Sequence, residues 1–215
     1  MTYRRFKNRE EAAKNLAKEL SEYRGKNIVV LAIPRGGVVL GYEVAKELDA
    51  SLDVIVPRKI GAPGNPELAI GAVTEDGTTI LNQPLVSQLG IPKEYIEMEK
   101  EEQIKEIKRR IKTYRGDAEP PSLEGKTVIL VDDGIATGAT VKAAINSIRK
   151  KRPSSIVIAT PVSAPDTAGE LRKEADKLVC LVVFEPFFAI GQFYENFDQV
   201  SDEEVIRLLK MSKKQ

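Results

Sequence analysis

Histidine and tryptophan are absent from this 215-residue chain, and cysteine occurs once, at position 180. Without imidazole there is no His-based nucleophile triad, no common zinc site and no imidazole proton shuttle. One thiol excludes disulfides within the chain, and its place in the apolar run Leu178 to Phe184 points to a buried, inert group. No apolar stretch reaches membrane-spanning length, and the opening MTYRRFKNREEAAKNL has no signal-like apolar core, so a cytoplasmic protein is expected. Charge of one sign is lacking too: 33 Lys/Arg against 32 Asp/Glu leave a net +1, which argues against nucleic acid as the main partner. The runs Lys108-Arg109-Arg110 and Arg149-Lys150-Lys151-Arg152 lie on or after predicted helices among many acids, as solvated helix faces do. Any chemistry here runs on carboxylates, cations, backbone dipoles or a metal that arrives with a substrate.

What is present suffices for one full core. Hydrophobic residues make up 42% and charged ones 30%, ordinary values for a single globular domain with an embellishment. Ala13, Leu16, Ala17 and Leu20 share one face of a predicted first helix, which Gly25 ends. Ile28 to Ile33, Leu52 to Val56, Thr127 to Val131, Ser155 to Thr160 and Leu178 to Phe184 read as strands. Helical patterns separate most of them, at Val38 to Leu48, Val141 to Ser147 and Pro165 to Ala175. This alternation predicts an α/β fold with a mostly parallel twisted sheet covered by helices on both faces. Arg58 to Glu67, rich in Gly and Pro, reads as a loop, and Glu75-Asp76-Gly77 as the turn of a hairpin joining 69–74 to 78–81. Ile104, Ile107, Ile111 and Tyr114 recur at helical spacing in a heavily charged segment, which predicts one long amphipathic helix for packing or a subunit contact.

The segment TVILVDDGIATGATVK, Thr127 to Lys142, carries the chemistry. A buried strand leads into Asp132 and Asp133, a Gly/Thr-rich turn follows, and an apolar helical stretch comes after. Paired carboxylates at a strand end can accept hydrogen bonds from a diol. The backbone N–H groups from Gly134 through Ile135, Ala136, Thr137, Gly138 and Ala139 to Thr140, with the Thr137 and Thr140 hydroxyls, can surround a phosphate at a helix start. A diol and a phosphate a few ångströms apart describe a ribose 5-phosphate. A Walker loop is excluded, since five on from Gly134 is Ala139 with no lysine behind it, and GxGxxG spacing is absent. Turn chemistry alone would account for an Asp-Gly pair but not for the whole pattern.

This segment resembles the diphosphoribosyl-binding motif of the type I phosphoribosyltransferases: four hydrophobic residues, two acids, then a Gly/Thr phosphate loop. The resemblance implies transfer of ribose 5-phosphate from phosphoribosyl diphosphate to a nitrogenous base or related acceptor, with Mg²⁺ held by the diphosphate rather than by the protein. Pro34-Arg35-Gly36-Gly37, after the first strand, looks like the family's pyrophosphate turn: Arg35 supplies forked donors, and Gly36 and Gly37 let the backbone approach an anion. Arg58 and Lys59, opening IGAPGNPELAIGAV, resemble the start of the mobile catalytic loop that closes over the diphosphate. Asp132, Asp133, Arg58 and Lys59 are thus the expected catalytic set. The resemblance covers about Asn27 to Phe184, within one domain spanning 1–215, with a helical insertion at about 82–122 and a C-terminal hood at about 185–215. A homodimer is expected.

Five of six phenylalanines, Phe184, Phe187, Phe188, Phe193 and Phe197, crowd into FEPFFAIGQFYENF together with Tyr194. In the family a hood covers the base, and aromatic faces stack on bases. For any individual ring, filling a small secondary core is the better expectation. The insertion and this tail do not match the purine-salvage, uracil or orotate branches, so base specificity is not carried over. Two other classes use similar parts. A non-catalytic sensor of nucleotides or phosphoribosyl diphosphate would share the fold but needs an added helix-turn-helix or basic RNA-binding face, neither of which is evident. A phosphotransfer receiver domain would place its paired acids near the N-terminus, not at 132 and 133.

Overall fold

The continuous apolar runs become the central sheet in the computed structural model, which describes residues 5–213. In chain order the elements are α1 (Arg9–Glu19), β1 (Ile28–Ala32), α2 (Gly36–Leu48), β2 (Ser51–Val54), β3 (Arg58–Ala62), β4 (Asn65–Val73) and β5 (Thr79–Leu81). There follow α3 (Gln83–Gln88), α4 (Lys93–Arg115), β6 (Thr127–Val131), α5 (Ala139–Arg149), β7 (Ser155–Ser163), α6 (Pro165–Glu174), β8 (Lys177–Val183) and α7 (Asp202–Ser212).

Five strands form a parallel sheet in the order β2-β1-β6-β7-β8. Alternate side chains of each strand enter opposite layers, as the period of two requires. Val30 and Ala32 pack with α1, α2 and α7, while Val29 and Leu31 pack with Ile145, Ile148 and Leu171 of α5 and α6. Both faces are therefore covered, and this explains why β1 and β6 read as unbroken apolar runs. Registers Ala32↔Val131 and Val131↔Ala159 bring the ends of β1, β6 and β7 level. The turns that follow these three strands thus open on one edge, where ligands of parallel sheets bind.

Two expectations need correction. Arg58 to Glu67 is not a structureless loop: β3 and β4 pair antiparallel from Arg58↔Val73 to Ala62↔Asn65, with only Pro63 and Gly64 at the tip. With β5 they make a second, three-stranded sheet, packed between α4 and α5. Ile60 and Ile70 anchor it in the core, where Ile60 to Ala62 and Ile70 to Val73 are buried without alternation. The charged segment is one long helix as expected, α4, preceded by the short uncharged α3; Ile107, Ile111 and Tyr114 are among its buried positions, and it lies against β3 and α7 of its own chain. Cys180 is half-buried rather than fully enclosed; burial pushes its thiol up to about 11, which keeps it protonated and unreactive. Among the described residues no helix is long and apolar enough to cross a membrane.

Candidate functional site

β6 delivers Asp132 and Asp133 to the carboxyl edge because its apolar residues are pinned between β1 and β7. The ladder continues one residue further, with the Asp132 N–H donating to the Ala159 carbonyl at 3.3 Å. The Asp133 N–H then turns back onto Asp132 Oδ1 at 2.9 Å. Asp133 is 8% exposed, whereas Asp132 stays half-buried. Burial and the adjacent Asp133 charge raise the Asp132 carboxyl well above its ordinary value, with Arg9 opposing. Asp133 is also raised by burial, and the Arg9 charge holds it back.

Arg9 is the site residue that sequence reasoning missed. Its Nε donates to Asp133 Oδ2 at 2.8 Å, and both side chains are about one-tenth exposed. Another of its nitrogens donates to the Asp198 carbonyl at 2.7 Å, and its guanidinium carbon sits 3.8 Å from the centre of the Phe197 ring. One oxygen of Asp133 is therefore already engaged, so the two acids do not offer a diol equal access. No local signal marks Arg9, which lies 124 residues from its partner.

The turn expected to bind phosphate is built by its neighbours. Gly134 is buried, and a β-carbon there would meet Ile190 Cγ2 at 2.4 Å, so the C-terminal segment lies directly on it. Ile135 does not fit the expected role. Its N–H donates to the Val162 carbonyl at 2.9 Å, its carbonyl accepts from Ala164, and its side chain is 2% exposed in the core. An apolar residue following the acids is thus a wedge that fastens the loop to β7. Ala136 and Thr137 are exposed, and the Ala136 carbonyl accepts from the Thr167 hydroxyl at 2.6 Å. Gly138 has φ +74°, a conformation that favours glycine, and forms the N-cap of α5 without a side-chain cap. The first N–H groups of α5, at Ala139 and Thr140, lack intrahelical partners and carry the positive end of its dipole.

The turn after β1 arrives beside the acids. Gly36 begins α2, whose N-cap Arg35 likewise offers no side-chain cap. A β-carbon on Gly37 would lie 2.9 Å from the Val131 carbonyl, so glycine lets α2 start against the end of β6. Two uncapped helix N-termini, of α2 and α5, consequently flank Asp132 and Asp133. Arg35 pairs at 3.8 Å with Asp202 at the start of α7, which also accepts from the Tyr114 hydroxyl at 2.7 Å.

Arg58 and Lys59 stand on β3 rather than in a free loop. The Arg58 guanidinium donates to the Gln103 side chain of α4, and burial together with Arg110 lowers its pKa. Lys59 is exposed. The aromatic segment divides as expected: Phe193 and Tyr194 are buried with Phe6, Ala12 and Val162, and the Tyr194 hydroxyl donates to the Asp133 carbonyl at 2.7 Å. Phe188 is the exception at 84% exposed. The Gln192 side chain shapes its loop, accepting from the Phe188 and Ala189 N–H groups and donating to the Pro186 carbonyl.

Comparison with known proteins identifies the family. The profile of the phosphoribosyl transferase domain matches residues 2–198. Two Mycobacterium tuberculosis strains each have a protein named "Putative phosphoribosyl transferase" that is 42% identical over 204 residues, covering 95% of this chain and 46% of the relative. The chain thus spans about half the length of the curated relatives it matches. The crystal structure of the protein TT1426 from Thermus thermophilus is 39% identical, with a TM-score of 0.80 over 95% of this chain and 97% of the other. A hypothetical protein from Neisseria gonorrhoeae, solved with bound ppGpp, shares the fold at a TM-score of 0.53 and 12% identity.

Proposed function

The chain belongs to the phosphoribosyl transferase domain family, and we propose that it transfers ribose 5-phosphate from phosphoribosyl diphosphate to a nitrogenous base or related acceptor. One observation carries this reading: two uncapped helix N-termini stand on either side of paired carboxylates at a single strand end. Such a site offers two anion-attracting helix ends with hydroxyl acceptors between them. The 5-phosphate would occupy Ala136 to Thr140, excluding the engaged N–H of Ile135. Asp132, and the free oxygen of Asp133, would accept from the 2- and 3-hydroxyls. The diphosphate would meet Arg35, Gly36 and Gly37.

In the reaction the bond from C1 to the pyrophosphate oxygen breaks, a bond from C1 to the acceptor nitrogen forms, and the acceptor loses a proton. The transition state resembles an oxocarbenium ion, so positioning and electrostatics dominate over proton transfer. The two carboxylates stabilise the positive charge growing on the sugar. Arg35 and Lys59 stabilise the departing pyrophosphate. Arg58, tied to Gln103, serves better as the anchor of β3.

Among the described residues no three His, Cys, Asp or Glu side chains converge as a metal cage. Mg²⁺ fits as part of the substrate, held chiefly by phosphate oxygens, where it neutralises the leaving group. Phe188, exposed on a loop shaped by Gln192 and next but one to Ile190 over the phosphate loop, is the ring proposed to stack on the acceptor.

Incubation with phosphoribosyl diphosphate, Mg²⁺ and a panel of bases, with pyrophosphate release measured, tests the reading. Release that depends on one base supports it. Binding without release from any base would favour a sensor, and absence of binding would overturn both.

A further inference from the structure

Arg9 stands where three parts of the proposed site meet. It touches the second acid of β6, and its Nε would lie 3.0 Å from a β-carbon on Gly36 in the pyrophosphate turn. Its other contacts, the Asp198 carbonyl and the Phe197 ring, belong to the C-terminal segment. An arginine needed only to neutralise a buried carboxylate could approach from any side. This one is fixed on two further sides, and the ring it rests on is stacked against Tyr194, whose hydroxyl holds the Asp133 carbonyl. Asp133 is therefore gripped at both its side chain and its backbone by a single unit of Arg9, Phe197 and Tyr194.

We propose that Arg9 is a positioning residue of the ribose site, holding Asp133 by one oxygen and turning its remaining oxygen toward the sugar hydroxyls. The inference rests on the reading of that site as a phosphoribosyl pocket. Two carboxylates side by side resist double ionisation, and a protonated acid accepts a hydroxyl less well. The titratable groups facing Asp133 are Arg9 from α1, Asp132 from the end of β6 and the neutral Tyr194 hydroxyl from the C-terminal segment. Arg9 alone among them favours the ionised form by its charge. Loss of that cation raises the Asp133 pKa, so ligand binding that needs the carboxylate should disappear at a higher pH than in wild type. A guanidinium that merely props up the fold would not move that pH.

The test is calorimetric titration of ribose 5-phosphate into the full chain between about pH 5 and 8.5, for wild type, Arg9→Ala and Arg9→Lys, with melting followed on the same samples. The expected result is that Arg9→Ala binds about tenfold or more weakly near pH 6 than at pH 8.5, with its acid limb displaced upward by about one unit or more, a unit being a tenfold change. Arg9→Lys should return the limb most of the way. If Arg9→Ala fails to fold, Phe197→Leu, which loosens the same guanidinium, should show a smaller upward displacement. An unchanged pH dependence in every folded variant would overturn the proposal, as would tighter binding by Arg9→Ala, which would make Arg9 a competitor of the ligand. Wild type that binds neither ribose 5-phosphate nor phosphoribosyl diphosphate with Mg²⁺ would instead overturn the pocket itself, and the proposal with it.

Discussion

The Asp133 carboxylate fills the space that a side chain on Gly36 would need: a β-carbon there would lie 1.8 Å from Asp133 Oδ2. The turn proposed for pyrophosphate and the acids proposed for ribose are thus one construction, in which the glycine of the first is the seat of the second. Gly36→Ala should dislodge Asp133 from Arg9 and weaken ribose 5-phosphate binding on the order of a hundredfold. Gly169→Ala on α6, with open space around it, serves as the control and should be neutral or slightly stabilising. Calorimetry of both variants checks this, and equal affinities would contradict it.

Asp132 costs the fold stability. Its folded carboxyl holds the proton more tightly than the unfolded one, through burial and the Asp133 charge. The penalty is therefore absent below the unfolded pKa of about 4 and grows as pH rises through the raised folded value. Asp132→Asn should melt a few degrees higher than wild type at pH 7.5, with the gap closing toward pH 4, while sugar binding falls on the order of a hundredfold. Paired melting and binding curves decide, and a lower melting point at pH 7.5 would refute the electrostatic account.

Arg35 pairs with Asp202 at 3.8 Å with both side chains about one-third exposed. Pairs of that kind contribute about 0–1 kcal/mol, so Arg35→Ala should leave melting within a few degrees. Pyrophosphate affinity should drop at least tenfold more than ribose 5-phosphate affinity. Competition titrations with the two anions measure the ratio, and equal losses would remove Arg35 from the pyrophosphate turn.

The two phenylalanines Phe188 and Phe193 should separate function from folding. Phe193 is fully buried, and truncation to Ala should cost about 3–5 kcal/mol by denaturant unfolding. Phe188→Ala should change stability by no more than about 0.5 kcal/mol. Its effect should instead be a rise in the acceptor KM, with binding of phosphoribosyl diphosphate unchanged. A stability loss at Phe188 comparable to that at Phe193 would contradict the assignment.

What the sequence disclosed followed the range of each interaction. β6 and its acids were legible because an unbroken apolar run, two aspartates and a glycine turn lie within sixteen residues. The β3–β4 hairpin was not, since Pro63, Gly64 and Pro66 suppress any alternation, and only the burial of Ile60 and Ile70 shows where it docks. Ile135 misled for a related reason: the motif gives spacing, while the partner of its N–H sits on β7. Arg9, held by partners 124 and 189 residues away, leaves no trace in local pattern.

The most direct measurement is a crystal structure of the chain with phosphoribosyl diphosphate and Mg²⁺. The account predicts the 5-phosphate on the N–H groups opening α5, the ribose hydroxyls on Asp132 and the unpaired oxygen of Asp133, and the diphosphate beside Arg35 and Gly36. A ligand bound elsewhere, or an acid pair that makes no contact with the sugar, would contradict it.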